Sequence, residues 1–205
     1  KATMKTLSAI LICCFISTIQ MYGENIQRPE SENYVKGVEA LNEGNPEAAY
    51  TYLNAEINEH PDNGYAHCYM ALICNFCNDT KLALQALNSS LELIPEADTE
   101  YRSFAHYSRG VLLTNLKMWE HAEADLNEAI RLNPEDVENY KSRAQLYFET
   151  ERYEESLDDL TRALKLDSKA DVNDLVLQLM AVAPTSEFME RITATYQQLD
   201  QVTIH

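Results

Sequence analysis

The feature that most constrains this fold is an internal period. Pro61 and Pro95 are 34 residues apart, Pro134 lies 39 residues after Pro95, and Ser168 lies 34 after Pro134. Aligned on these four positions, the upstream residues fall into register. Twenty-four residues before each stands a small residue: Gly37, Ala71, Gly110 and Ala144. Twelve before come Ala49, Ala83, Ala122 and Ser156, and eight before come Leu53, Leu87, Leu126 and Leu160. Five before, Ser90, Ala129 and Ala163 are small, and Glu56 is the exception. The five extra residues in the middle spacing fit an insertion near Glu96–Glu100. A unit of this size cannot bury an apolar face alone, so the chain must stack its copies.

Within each unit, two apolar-periodic segments of about 12–15 residues flank a short polar break, the pattern of a helix pair. The breaks are Asn42-Glu43-Gly44-Asn45, Asn78-Asp79, Lys117-Met118 and Glu149-Thr150-Glu151. Asn45-Pro46-Glu47 predicts a helix start, with Asn as cap, Pro at the first helical position and Glu at the positive end. Prolines 61, 95 and 134 end second helices and open the next unit. The small residues predict close approach of the two helices of a unit. No run alternates with period two over a strand length, and only 5 Gly and 6 Pro argue against many tight turns. The predicted class is all-α.

On these residues the units resemble tetratricopeptide repeats, whose pattern runs W-x2-L-G-x2-Y…A-x3-F…P over 34 residues. The fourth unit is the most similar, with Tyr140, Ala144, Tyr147, Ser156, Leu160 and Ala163; the third supplies Gly110, Ala122, Leu126, Ala129 and Pro134. In the first two, Asn33 and His67 replace the first aromatic, and Ala40 and Cys74 the second. The resemblance implies a right-handed superhelical stack of antiparallel helix pairs. Four repeats are placed at about 30–63, 64–97, 103–136 and 137–170, with the repeat region as 33–168, after a linker at 24–32. Residues 171–205 are expected to form a capping helix pair. Leu175, Val176, Leu177, Leu179, Met180 and Val182 are apolar nearly all round, as for a helix buried on several sides. After Pro184, Phe188, Ile192, Tyr196 and Leu199 make one stripe.

Residues 1–23 read as a secretory signal segment. Met4 resembles an initiator preceded by three further residues, Lys5 is a short positive region, and Leu7–Ile19 is an apolar run too short for a membrane span. Cleavage after Gly23 fits the acidic stretch that follows. An uncleaved anchor or a lipoprotein is the alternative, although Ile12, rather than a small residue, precedes Cys13. The expected location is exported, periplasmic or secreted.

Charge then narrows the partner. The chain holds 33 acidic and 16 basic side chains, net -17. Removing residues 1–23 takes two Lys and no acid, leaving -19. Such a chain lacks the clustered Lys and Arg that nucleic acid or an anionic membrane surface needs. Residues 24–100 carry 14 acids against Arg28, Lys36 and Lys81, net -11. By resemblance, the concave face of a tetratricopeptide stack is lined by first helices and binds peptides or partner helices. The matching positions give a partner-binding groove of Tyr34, Tyr65, Tyr69, Phe76, Phe104, Tyr107, Asn115, Lys141 and Gln145. Tyrosines suit such a surface, with large apolar area and one hydrogen-bonding tip. The Lys and Asn clamp by which related repeats grip chaperone C-termini is absent: Tyr34, Val38, Tyr69, Phe104 and Ser108 stand in its place.

Catalytic chemistry finds little footing. The histidines form no HExxH, and no EF-hand, P-loop or dinucleotide fingerprint is present. Glu154-Glu155 and Asp158-Asp159 read as the solvated face of a helix. Cys74-x-x-Cys77 falls at the end of a first helix, whereas a reactive pair wants a helix N-terminus, and no second such pair exists for zinc. The expectation is a non-catalytic interaction scaffold, with no cofactor or metal, for a protein or peptide partner of basic character. A helical accessory domain of a larger exported enzyme or envelope assembly factor, and a redox protein using Cys74 and Cys77, are the alternatives.

Overall fold

The computed structural model describes residues 26–182 and 185–202, with side chains to residue 195. The expected signal segment, Pro184, and the side chains of Tyr196 and Leu199 lie outside the described residues. Among the described residues there are ten helices and no strand: α1 Glu32–Asn42, α2 Pro46–Glu59, α3 Gly64–Phe76, α4 Thr80–Leu93, α5 Thr99–Asn115, α6 Trp119–Leu132, α7 Val137–Glu149, α8 Tyr153–Leu166, α9 Asn173–Val182 and α10 Ser186–Val202. The chain divides into two compact units, residues 1–108 and 109–205, with the border inside α5. In the first unit α1 packs on α2, α2 on α3 and α3 on α4; in the second α6 packs on α7, α7 on α8, and α8, α9 and α10 on one another.

Each polar break forms the same turn. Gly44, Asn78, Lys117 and Glu151 all take positive φ, between 59° and 71°. The next residue's N–H then reaches back five positions: Asn45 to Ala40 O, Asp79 to Cys74 O, Met118 to Leu113 O and Arg152 to Tyr147 O, at 2.8–2.9 Å. This is the Schellman closure, which satisfies carbonyls a helix end would otherwise leave orphaned. Only one of the four left-handed positions is a glycine. The second helices start on side-chain caps where the residue allows it: Asn45 accepts from Ala48 N–H and Asp79 from Leu82 N–H.

The small residues work by proximity. A Cβ on Gly37 would stand 2.7 Å from Leu53 Cγ, and one on Gly110 would stand 2.8 Å from Leu126 Cγ. Leu53 and Leu126 are fully buried in their own units. The same helix pairs carry a second recurrent position sixteen residues apart: Lys36 with Tyr52, Met70 with Ala86, Arg109 with Asp125, Arg143 with Asp159. Its chemistry changes from one repeat to the next. Lys36 lies 5.7 Å from the centre of the Tyr52 ring, and Met70 and Ala86 are buried apolar residues. Arg109 and Arg143 make two-pronged ion pairs with Asp125 and Asp159 at 2.7 and 2.8 Å. The solvated-face expectation for Asp159 is therefore corrected. Asp159 turns inward to Arg143 and is buried, whereas Asp158 is 69% exposed and pairs with Arg191.

The insertion resolves into defined pieces. α5 has 17 residues where α3 and α7 have 13. α3 begins three residues after Pro61 and α7 three after Pro134, but α5 begins four after Pro95. The five extra residues are thus one loop residue and about one added helical turn at the N-terminus of α5.

At the other end, Val172, Leu175, Val176 and Leu179 pack with Phe188 and Ile192 of α10 and with Ala144, Leu157 and Leu160. Burial of α9 on several sides does not occur: Leu177, Met180 and Val182 are exposed. Among the described residues, α9 packs on α8 and α10, and three of its apolar residues stay exposed.

Candidate partner-binding site

The site begins with the added turn. Asp98 caps α5, its Oδ1 accepting from Tyr101 N–H at 3.3 Å. Its Oδ2 accepts from the Tyr65 hydroxyl at 3.0 Å. Residues 26–30, irregular and outside any helix, bring Arg28 to the same carboxylate from seventy residues away. Arg28 Nε donates to Asp98 Oδ2 at 3.2 Å, and Nη2 donates to Asp98 Oδ1 at 3.3 Å and to Glu100 Oε2 at 2.9 Å. The guanidinium also lies 4.6 Å from the centre of the Tyr101 ring. The Asp98 side chain is 1% exposed, so its charge needs these partners. Burial disfavours the Arg28 charge, but the hydrogen bonds from Asp98 and Glu100 outweigh it and hold the guanidinium above its usual range.

Tyrosines continue the site. Tyr65 meets the Tyr101 ring edge-on at 4.8 Å, the Tyr69 and Tyr101 hydroxyls are 2.8 Å apart, and Tyr34 lies 6.1 Å from Tyr69. Burial raises all four phenols above their ordinary values, so they stay neutral and act as hydrogen-bonding tips on apolar rings.

Tyr34, Tyr65 and Tyr69, singled out in the sequence, are thus brought together and are buried. Phe104 and Tyr107, further along α5, stack at 6.2 Å and are also buried. Phe76, the last residue of α3, is 40% exposed. The remaining three belong to the second unit. There Asn115 is exposed at the end of α5, Lys141 donates to Glu138, and Gln145 donates to Glu149. Sequence reasoning missed Arg28, Asp98, Glu100 and Tyr101. Asp98 had a signal, since an Asp just before a helical run is a capping residue. Arg28, an isolated base in a short polar stretch, had none.

Neither buried cysteine is an activated thiol. Cys68 and Cys74 are buried, Cys77 is exposed, and all three are free thiols. Burial pushes the Cys68 thiol up to about 12 and raises Cys74 as well, the reverse of what a reactive thiolate requires. Among the described residues, no three His, Cys, Asp or Glu side chains converge on a metal position, and no helix is long and apolar enough to cross a membrane.

Comparison with known proteins agrees with this architecture. The tetratricopeptide repeat pattern matches residues 105–136 and 138–169. The human protein named tetratricopeptide repeat protein 6 is 25% identical over 143 residues, 70% of this chain and 26% of that protein. The lipoprotein NlpI homolog of Haemophilus influenzae is 31% identical over 87 residues, 42% of this chain and 28% of that protein. The chain therefore spans about a quarter of the length of these curated relatives. Among solved structures, MamA 41-end from Desulfovibrio magneticus RS-1 superposes with a TM-score of 0.66 at 19% identity, covering 82% of this chain and 94% of the other. A crystal structure of MamA gives 0.65 at 13% identity, with 82% and 97% covered. These two likenesses are of fold. The chain thus carries tetratricopeptide repeats at residues 105–136 and 138–169, and the same helix pair and left-handed turn recur in all four units.

Proposed function

We propose that this protein is a non-catalytic interaction scaffold that binds a basic protein segment on the aromatic, acidic face of its first repeats. The observation that carries this reading is the Asp98–Glu100 pair set against Tyr65, Tyr69 and Tyr101, in a stretch that is net -11 over residues 24–100. Tyrosines fixed by packing around the Asp98 carboxylate keep the face above them rigid, at low entropic cost to either side. Tyr34 packs against Tyr69 within this cluster, and the exposed Phe76 of the same unit offers a further apolar contact for a partner. The tetratricopeptide architecture supports protein binding in general; the sign and form of the partner come from this site.

An envelope location accompanies the proposal. It is supported by the apolar segment Leu7–Ile19 and by the lipoprotein named among the relatives. The length relation to those relatives fits equally a repeat region serving a longer exported protein, and the binding role is the same in either setting.

The test is partner capture from the envelope fraction, followed by kinetics with the purified partner. Phe76→Ala removes an exposed ring and should weaken binding about tenfold with an unchanged melting temperature. The association rate should fall as salt rises from 50 to 300 mM, by roughly tenfold. Salt-independent association together with a neutral Phe76→Ala would reject the reading.

A further inference from the structure

We propose that the pocket of Asp98, Glu100, Tyr101 and Tyr65 is an arginine-recognition site for an arginine-bearing peptide, and that Arg28 is its built-in competitor. This rests on the interaction-scaffold reading and specifies its ligand. The pocket belongs to the insertion: Glu100 and Tyr101 stand on the added turn of α5, and Asp98 caps it. The 13-residue α3 and α7 have no such turn. A stretch that packing in the other repeats does not require, yet that builds a buried carboxylate beside an aromatic face, has the parts of a ligand site.

The chemistry selects arginine over lysine. Parallel Nε and Nη2 contacts to the two Asp98 oxygens, a third bond to Glu100 and a flat face over Tyr101 need a planar fork of donors. An ammonium would meet one of these contacts well and forgo the stacking. The Tyr65 hydroxyl donates to the same Asp98 Oδ2 that Arg28 Nε reaches, and so presets the carboxylate's orientation.

The present occupant has one polar anchor. Among the described residues, the polar contacts of residues 26–30 to the rest of the unit all run through the Arg28 side chain. The segment pairs with no strand and continues into α1 at Glu32. Pro29 and Glu30 add only a cavity wall shared with Glu56, His60, Asp62 and Asn63, so the segment is a tethered ligand with one polar anchor, which a second arginine peptide can displace against an effective concentration on the order of millimolar. Charge complementarity agrees, because Arg28 is one of three bases among 17 charged residues from 24 to 100.

The experiment uses the full chain as wild type, Arg28→Ala, and Arg28→Ala combined with Asp98→Asn or with Glu100→Gln. The probe is a fluorescein-labelled peptide of the sequence Ile-Gln-Arg-Pro-Glu-Ser, with a second peptide carrying Lys in place of Arg, read by fluorescence anisotropy. Removing the tethered competitor should tighten binding of the arginine peptide about tenfold over wild type. The lysine peptide should bind Arg28→Ala about tenfold more weakly than the arginine peptide. Both double variants should lose the gain, and Glu100→Gln does so with the Asp98 cap intact. Equal binding by wild type and Arg28→Ala, absence of binding to both, or indifference to arginine against lysine overturns the proposal. A captured protein partner whose affinity ignores Arg28→Ala and Glu100→Gln would overturn it too while leaving the scaffold reading standing. Sedimentation velocity covers the remaining occupant: a wild-type dimer abolished by Arg28→Ala would assign the site to a second copy's segment and overturn the competitor.

Discussion

Asp158 and Asp159 are neighbours in sequence, yet one helical step separates water from a buried fork of guanidinium. Asp159→Ala strips Arg143 of its partner inside the second unit and should cost about 2–3 kcal/mol. Asp158→Ala lies on an exposed pair and should change stability by about 0.5 kcal/mol or less. Urea denaturation of both variants checks the contrast, and equal losses would return Asp159 to the surface. Burial sorts the cysteines in the same way. Native alkylation at pH 8, mapped by mass spectrometry over residues 64–80, should label Cys77 rapidly. Cys68 and Cys74 should react only after denaturation, since the first has its thiol pushed up to about 12 and both are buried. Rapid labelling of Cys74 in the folded chain would revive a redox role for the pair.

Between helices the informative unit is the turn. Four turns share one left-handed position, filled by Gly44, Asn78, Lys117 and Glu151. A side chain pays about 1 kcal/mol or more there, which a glycine avoids. Glu151→Gly should therefore stabilise the protein by about 0.5–1 kcal/mol, and Gly44→Ala should destabilise it by about 1 kcal/mol. Thermal and chemical denaturation read both, and opposite signs would mean that Glu151 is held by contacts the turn geometry does not require. These turns were legible in the sequence as polar breaks between apolar runs, and so were the helix pairs and the small residues at Gly37 and Gly110. Local chemistry dictates such features, because caps, breakers and 3.6-residue periodicity all act within a few positions. The partial burial of α9 was not legible. An apolar helix reads the same whether neighbours cover one side or all, and Leu177 and Leu179 differ only in what lies next to them.

Across the whole chain, periodicity revealed the architecture and concealed the site. Alignment on the repeat finds what the copies share, and Asp98, Glu100 and Tyr101 belong to the stretch they do not share. Tyr34, Tyr65 and Tyr69, singled out in the sequence, lie together in the first unit. The Arg28–Asp98 contact beside them depends on a chain reversal over seventy residues that no local pattern encodes. The charge asymmetry acquires a location for the same reason. Arg28 is drawn against Asp98 and Glu100, and Lys36 pairs with Glu32, so two of the three bases between residues 24 and 100 already face acids. On the proposed reading, what remains of the negative field makes the encounter with a partner sensitive to salt.

The inserted turn has one more consequence. Four residues rotate a helix by about 400°, within about 40° of a full circle. α5 is thus lengthened almost without change of phase, and Gly110 still meets Leu126 as Gly37 meets Leu53. If the added turn is the ligand site proposed above, recognition and packing are written in separate, nearly independent passages of the same helix. A lineage could rewrite the first passage, exchanging one ligand for another, while the second continued to hold the fold.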